Sequence, residues 1–138
     1  MTFHGVKVAV LVDDKLLVHL RDNKPGLFNA NMWDFPGGGR EGEESPEECA
    51  IREVQEEFGV TLRPEDIVWE KTYPAQKDPS QVAYFMVATL TMFDVGTVQL
   101  TEGQEWMLME QDEFLERTDV VDALKGRFQD YLSSTQQS

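Results

Sequence analysis

Gly38-Gly39-Arg40-Glu41-Gly42-Glu43-Glu44-Ser45-Pro46-Glu47-Glu48-Cys49-Ala50-Ile51-Arg52-Glu53-Val54-Gln55-Glu56-Glu57-Phe58-Gly59-Val60 is the stretch that decides the reading of this chain. Ser45-Pro46 opens a helix within it: Ser45 acts as N-cap, Pro46 takes the first helical position and Glu48 completes a capping box. The helix is predicted to run to Phe58 and stop at Gly59. At about 100° per residue, Ala50, Ile51, Val54 and Phe58 fall within about 60° of Val54 and form a core stripe. Glu53, Glu56 and Glu57 fall on a separate flank, at i, i+3 and i+4. Like charges that close are destabilising unless something neutralises them. A hard divalent cation is the simplest neutraliser, because Mg²⁺ takes carboxylate oxygens and shares its shell with substrate phosphates. A solvated acidic helix face is the plain alternative. Arg52, one turn before Glu56, can pair with it and hold its rotamer. The run Pro36-Gly37-Gly38-Gly39 lets backbone approach a ligand closely and offer a carbonyl to a metal. Glu44 stands at the helix start, where a carboxylate suits the dipole.

Outward from this stretch, 6–12 and 15–21 are β-rich runs joined by Asp13-Asp14, a hairpin pattern. Residues 22–31 are loop by composition, and 32–35 form a short strand that stops at the glycine run. Further strands are predicted over 66–73, 82–92 and 106–109, with a short helix over 111–117. Val120, Val121, Leu124, Phe128, Tyr131 and Leu132 share one side of a terminal helix over 120–132, and the polar tail 133–138 is expected to fray. Mixed strands with a few helices predict an α/β fold, a sheet sandwiched by helices.

The chain has 138 residues, 41% of them hydrophobic, which suits a single domain spanning 1–138 with a real core. A net charge of −14 makes nucleic-acid polymers and anionic membranes poor partners. An anionic substrate would therefore need cations to recruit it. Cys49 is the only cysteine, so an internal disulfide is impossible and a reducing compartment fits. No signal-peptide pattern and no run of transmembrane length is seen, and a cytoplasmic protein is expected.

The central stretch resembles the Nudix box, G-x5-E-x7-R-E-U-x-E-E-x-G-U with U a bulky aliphatic. Gly38, Glu44, Arg52, Glu53, Val54, Glu56, Glu57, Gly59 and Val60 match its defined positions, and Trp33-Asp34-Phe35-Pro36-Gly37-Gly38 resembles the family's lead-in. The resemblance implies a Nudix α/β/α sandwich and hydrolysis of a nucleoside diphosphate linked to a group X. It implies Mg²⁺ or Mn²⁺ as cofactor, Glu53, Glu56 and Glu57 as ligands, Arg52 as their orienting partner, and Gly38 as a backbone element of the metal site. Bound metals neutralise phosphoryl charge and activate water, and they would also recruit an anionic substrate to an acidic protein.

The loop Thr101–Trp106 resembles that of the MutT-like subgroup, which marks Glu102 as a fourth ligand or general base, with Glu105 as substitute; both are otherwise ordinary loop acids. Arg21, or Lys24 in its place, is a candidate phosphate contact. Phe28, Trp33 and Tyr84 are candidates for stacking on a base, while Phe35 is expected in the core. Alternation puts Leu17, His19 and Arg21 on one face of the second strand, and His19 is expected to be a satisfied strand histidine. Cys49 is expected to be a small filler beside the carboxylates. The expected reaction is cleavage of an NTP or modified (d)NTP to a monophosphate and pyrophosphate, by a monomer or homodimer. An ADP-ribose or nucleotide-sugar pyrophosphatase is the enzyme alternative, weakened because Gln76 stands where that subgroup has a proline. A non-catalytic nucleotide-binding Nudix module is the alternative of another class.

Overall fold

Val6, Val8, Val10 and Val12 of strand β1 (Gly5–Val12) pack on one side of a sheet, Ala9 and Leu11 on the other, and all are buried. A strand buried on both faces reads as a continuous apolar run and belongs inside a layered fold. The computed structural model, which describes residues 2–96 and 98–136, shows that arrangement. Asp13 and Asp14 turn the chain with φ of 46° and 69°, the left-handed pair of a two-residue hairpin, into strand β2 (Lys15–Leu20).

The hairpin then opens. β1 and β2 pair at Leu11↔Leu16 and Val12↔Lys15. Towards the other end of β1, residues 33–39 fill the space between the two strands. Strand β3 (Trp33–Asp34) pairs with β2 through His19↔Asp34 and Leu20↔Trp33. Strand β4 (Gly37–Gly39) pairs with β1 through Gly5↔Gly39, Val6↔Gly38 and Lys7↔Gly37. Between them, the Val8 amide donates to the Pro36 carbonyl at 2.8 Å. After the first helix, strand β5 (Ile67–Pro74) lies antiparallel to β6 (Val82–Leu90), β6 runs parallel to β1, and β7 (Glu105–Met109) lies antiparallel to β2. The result is one mixed seven-stranded sheet.

Helix α1 (Pro46–Phe58) covers one face with Ala50, Val54 and Phe58. Its capping box forms as its sequence predicts: the Glu48 amide donates to Ser45 Oγ at 3.1 Å and the Ser45 amide to Glu48 Oε1 at 2.8 Å. Gly59 ends it at φ 69°. Thr91 caps the one-turn helix α2 (Met92–Val95), so β6 stops at Leu90, short of the expected residue 92. Helices α3 (Gln111–Glu116) and α4 (Asp122–Gln136) cover the other face with Phe114, Leu124 and Phe128. Phe35 is core, as expected, and stacks on Phe114 at 4.8 Å between centroids. Among the described residues, no helix is long and apolar enough to cross a membrane.

Two expectations change. The glycine run does not merely end a strand; it forms β4, because bare backbone can pair with β1 although it carries no alternation to read. Residues 133–136 continue α4, where fraying was expected; Tyr131 and Leu132 pack on the core and Ser134 and Thr135 hydroxyls bond back to their carbonyls. Residues 137–138 lie outside the described residues.

Ser45→Ala removes the cap hydroxyl and should cost about 1 kcal/mol of stability. Urea unfolding checks this, and an unshifted midpoint would show that the capping box contributes nothing.

Candidate active site

Arg52 organises the carboxylates of α1. Its Nε and Nη2 grip Glu44 Oε2 and Oε1 at 2.6 and 2.9 Å. Its Nη1 donates to Glu53 Oε1 at 2.8 Å and Glu56 Oε2 at 3.1 Å, and its Nη2 to the Gly39 carbonyl at 2.9 Å. The bidentate fork holds the Glu44 carboxyl down at about 2, chiefly through the hydrogen bonds from Arg52. The same bonds raise the Arg52 guanidinium still further above its already high range. The expected Arg52–Glu56 pair is present. Glu44, read as a dipole partner and a box position, proves to be the main anchor of Arg52.

Glu57 is the unusual carboxylate. It is 5% exposed, although it lies on the flank apart from the core stripe. β4 lies against that flank: the Gly37 amide donates to Glu57 Oε1 at 3.0 Å, and Cys49, also fully buried, lies 3.7 Å from the Gly39 carbonyl. Burial pushes the Glu57 carboxyl up to about 8, opposed by Lys7 and the Gly37 amide and reinforced by Glu53 beside it. Burial likewise pushes the Cys49 thiol up to about 12, which leaves it an inert filler, as expected.

His19 shares the face of Leu17, as alternation predicts, and there it meets α1, but it is not satisfied. It is 3% exposed, and neither ring nitrogen has a hydrogen-bond partner. Its Nε2 lies 3.6 Å from Glu57 Oε2. Burial lowers its pKa to about 4, so the ring is neutral at pH 7 and the contact is not an ion pair. The sequence placed it on the right face; only the packing of α1 shows what it meets.

The donor set fits a hard divalent ion. Glu53 and Glu57 sit together, and burial drives Glu57 towards its protonated form, a conflict that a cation would relieve. A side chain on Gly38 would place its Cβ 2.6 Å from Glu53 Oε2, so the bare glycine leaves room for that carboxylate. Among the described residues, no three acids are already gathered as a metal cage, and Arg52 bridges Glu53 and Glu56.

Arg21 lines two cavities. One, of about 230 Å³, lies along Gly37–Gly39 and is lined by Lys7, Arg21, Phe28, Asp34, Lys77 and Arg127 among others. Lys7 and Arg21 share Asp34 Oδ2 at 2.8 and 3.2 Å. Phe28 is 42% exposed with Lys77 Nζ 5.4 Å from its ring centroid. The other cavity, of about 390 Å³, is lined by His19, Arg21, Lys24, Leu27 and Thr101–Gly103. Glu102 therefore stands at a cavity shared with His19, whereas Glu105 opens β7 opposite Leu20. The loop is pinned to the end of α1: the Thr101 amide donates to the Glu57 carbonyl at 2.9 Å and its hydroxyl to the Glu56 carbonyl at 2.7 Å.

Trp33 and Tyr84 line neither cavity. Trp33 is 4% exposed, turned by β3 towards the α4 side, with Arg117 over its ring. Tyr84 is 8% exposed, turned by β6 towards α1 and edge-on to Phe3. Lys77 and Arg127 were missed because they reach the first cavity from separate elements, and no local pattern joins them.

Known proteins share this architecture. The NUDIX domain model matches residues 2–129. An RNA pyrophosphohydrolase of Aeromonas hydrophila is 31% identical over 85 residues, 62% of this chain and 45% of that protein. An 8-oxo-dGTP diphosphatase of Proteus vulgaris is 54% identical over 57 residues, 41% of this chain and 51% of that protein. The chain thus spans about half the length of these curated relatives. The crystal structure of a MutT protein from Methanosarcina mazei Go1 superposes with a TM-score of 0.76 at 23% identity, covering 96% of this chain and 94% of that one. With its box intact at every defined position and its fold shared with that structure, the chain belongs to the NUDIX domain family.

Proposed function

We propose that this chain is a divalent-metal-dependent pyrophosphohydrolase of nucleoside 5′-polyphosphates, with NTPs or modified (d)NTPs as preferred substrates, cleaved to a monophosphate and pyrophosphate. One observation carries this reading. On a protein of net charge −14, Lys7, Arg21, Lys77 and Arg127 converge on one cavity, with Asp34 as the only acid among its described lining residues, against the glycine strand that covers the box carboxylates. Such a cavity suits an anionic ligand, and the exposed ring of Phe28 suits a base.

Glu53, Glu56 and Glu57, with the Gly38 carbonyl and Glu102, would hold the metal, and Arg52 would keep the glutamates aimed. Bound Mg²⁺ or Mn²⁺ would supply neutralisation of phosphoryl charge and an acidified water. Glu102, on its pinned loop, would take the proton of the attacking water on its carboxylate. Arg21 and Lys7 would orient the phosphates and Phe28 the base.

A second substrate reading comes from the Aeromonas hydrophila relative, an RNA pyrophosphohydrolase. An RNA 5′ end presents the same polyphosphate, so the expectation against nucleic acid is reduced to one arm of the test. Pyrophosphate release with Mg²⁺ or Mn²⁺ should be faster from free NTPs or oxidised dNTPs than from 5′-triphosphorylated RNA, ADP-ribose or nucleotide sugars. Faster release from RNA would replace the reading. No release from any of them would favour the non-catalytic module.

Three outcomes are expected of the residues. Glu57→Gln should lower kcat by at least about 100-fold, the scale of losing a group that handles charge or protons in the transition state. Phe28→Ala should raise KM about tenfold with kcat nearly unchanged, matching roughly 1–3 kcal/mol for stacking on one base. The third is a pH effect. Because burial lifts Glu57 from its ordinary value to about 8, the folded chain holds a proton there that the unfolded chain releases above about 4.5. Between these values the folded state binds more protons, so stability falls as pH rises. In EDTA the melting temperature should therefore drop from pH 5 to 8 more steeply for the wild type than for Glu57→Gln, and parallel curves would refute the buried, protonated carboxyl.

A further inference from the structure

Among the described residues, the buried side-chain nitrogens without a partner are Nδ1 and Nε2 of His19. A buried polar group left unmatched is costly, and in a native protein it calls for a use. The ring is held on several sides. β3 and β7 fix its backbone through His19↔Asp34 and His19↔Trp106. Phe58 meets it edge-on at 5.4 Å and 89°. Gly103, at φ +88°, runs so close that a Cβ there would lie 3.1 Å from Nδ1. Nε2 lies 3.6 Å from Glu57 Oε2.

We propose that His19 is the positioning residue of Glu57: its Nε2–H takes hold of Oε2, while the Gly37 amide already holds Oε1 at 3.0 Å. The inference rests on Glu57 being a metal ligand, as read above. Two donors, one from β2 and one from β4, would then set the carboxylate's plane from both sides and leave a lone pair on each oxygen for the cation. Ligating carboxylates work in this way, oriented by hydrogen bonds from groups behind them. The arrangement also links two parts of the site. A Cβ on Gly103 would lie 3.1 Å from Nδ1, and Thr101 is bonded to the Glu56 and Glu57 carbonyls, so the loop that carries Glu102 passes beside the same imidazole that orients Glu57.

A packing role predicts unchanged metal affinity. A buried polar ring without partners should be replaceable by leucine with no loss, or with a gain, of stability. The discriminating quantity is metal binding without turnover. Mn²⁺ titration followed by electron paramagnetic resonance should give a dissociation constant about 10–100-fold larger for His19→Leu than for the wild type, at an equal or higher melting temperature. His19→Gln keeps an N–H donor and should recover most of the affinity. In turnover, His19→Leu should lower kcat with nucleotide KM unchanged.

Unchanged Mn²⁺ affinity in folded His19→Leu, with Glu57→Gln weakened, overturns the positioning role alone. Unchanged affinity in Glu57→Gln as well overturns the metal reading beneath it. His19→Gln as weak as His19→Leu also overturns the role. If His19→Leu does not fold, ¹⁵N-labelled imidazole in the wild type decides. The chain has 2 histidines, and His4→Gln assigns the signals. Mg²⁺ should move the His19 Nε2 resonance, and an unmoved resonance overturns the proposal.

Discussion

The hydrogen bond from the Gly37 amide to the buried Glu57 carboxyl joins the two halves of this structure. It exists because β1 and β2 separate beyond Leu11↔Leu16 and admit residues 33–39 between them. That wedge carries its own backbone bonding to both strands, so opening the hairpin leaves no unpaired edge inside the fold. It also brings bare glycine backbone against one flank of α1. Without it, Glu53 and Glu57 would be surface acids on a solvated helix. With it, one of them is enclosed, and the chain holds in its interior a carboxyl that prefers to stay protonated.

Charge is distributed in the same two-sided way. On the α1 side, Arg52 ties Glu44, Glu53 and Glu56 into one network and sets where the acids point. On the cavity side, Lys7 and Arg21 meet on Asp34, with Lys77 and Arg127 facing them. The glycine strand is thin enough to lie between the two sides without a side chain of its own. Cations line the cavity on one side of it, and the carboxylates of α1 lie on the other. The overall charge of −14 conceals this separation.

Residue patterns made much of this legible. The capping box, Gly59 stop and core stripe of α1 are local properties, and they appear where Ser45, Glu48, Val54 and Phe58 predict. The parity of β2 placed His19 on one face with Leu17, the face that the structure turns towards α1. Other readings failed for nameable reasons. Alternation cannot see a strand of glycines, so β4 was missed. Helical angles describe one helix and not what lies beside it, so they set Glu57 and Cys49 on a flank apart from the core stripe and left unread that β4 closes it. Aromatic type does not reveal strand parity at a short β3 or within β6, so Trp33 and Tyr84 were offered as base contacts and stand in the two cores.

By itself, then, the sequence determined the helix, its caps, the family and which acids share a flank, because each depends on neighbours within a few turns of the chain. Tertiary structure alone decided that Glu57 is buried, that His19 faces it without a partner, and that Lys7, Arg21, Lys77 and Arg127 surround one cavity. Those facts arise where β1, β2, β4, α1 and α4 meet. Burial and electric field are sums over such remote neighbours, and no single segment encodes them.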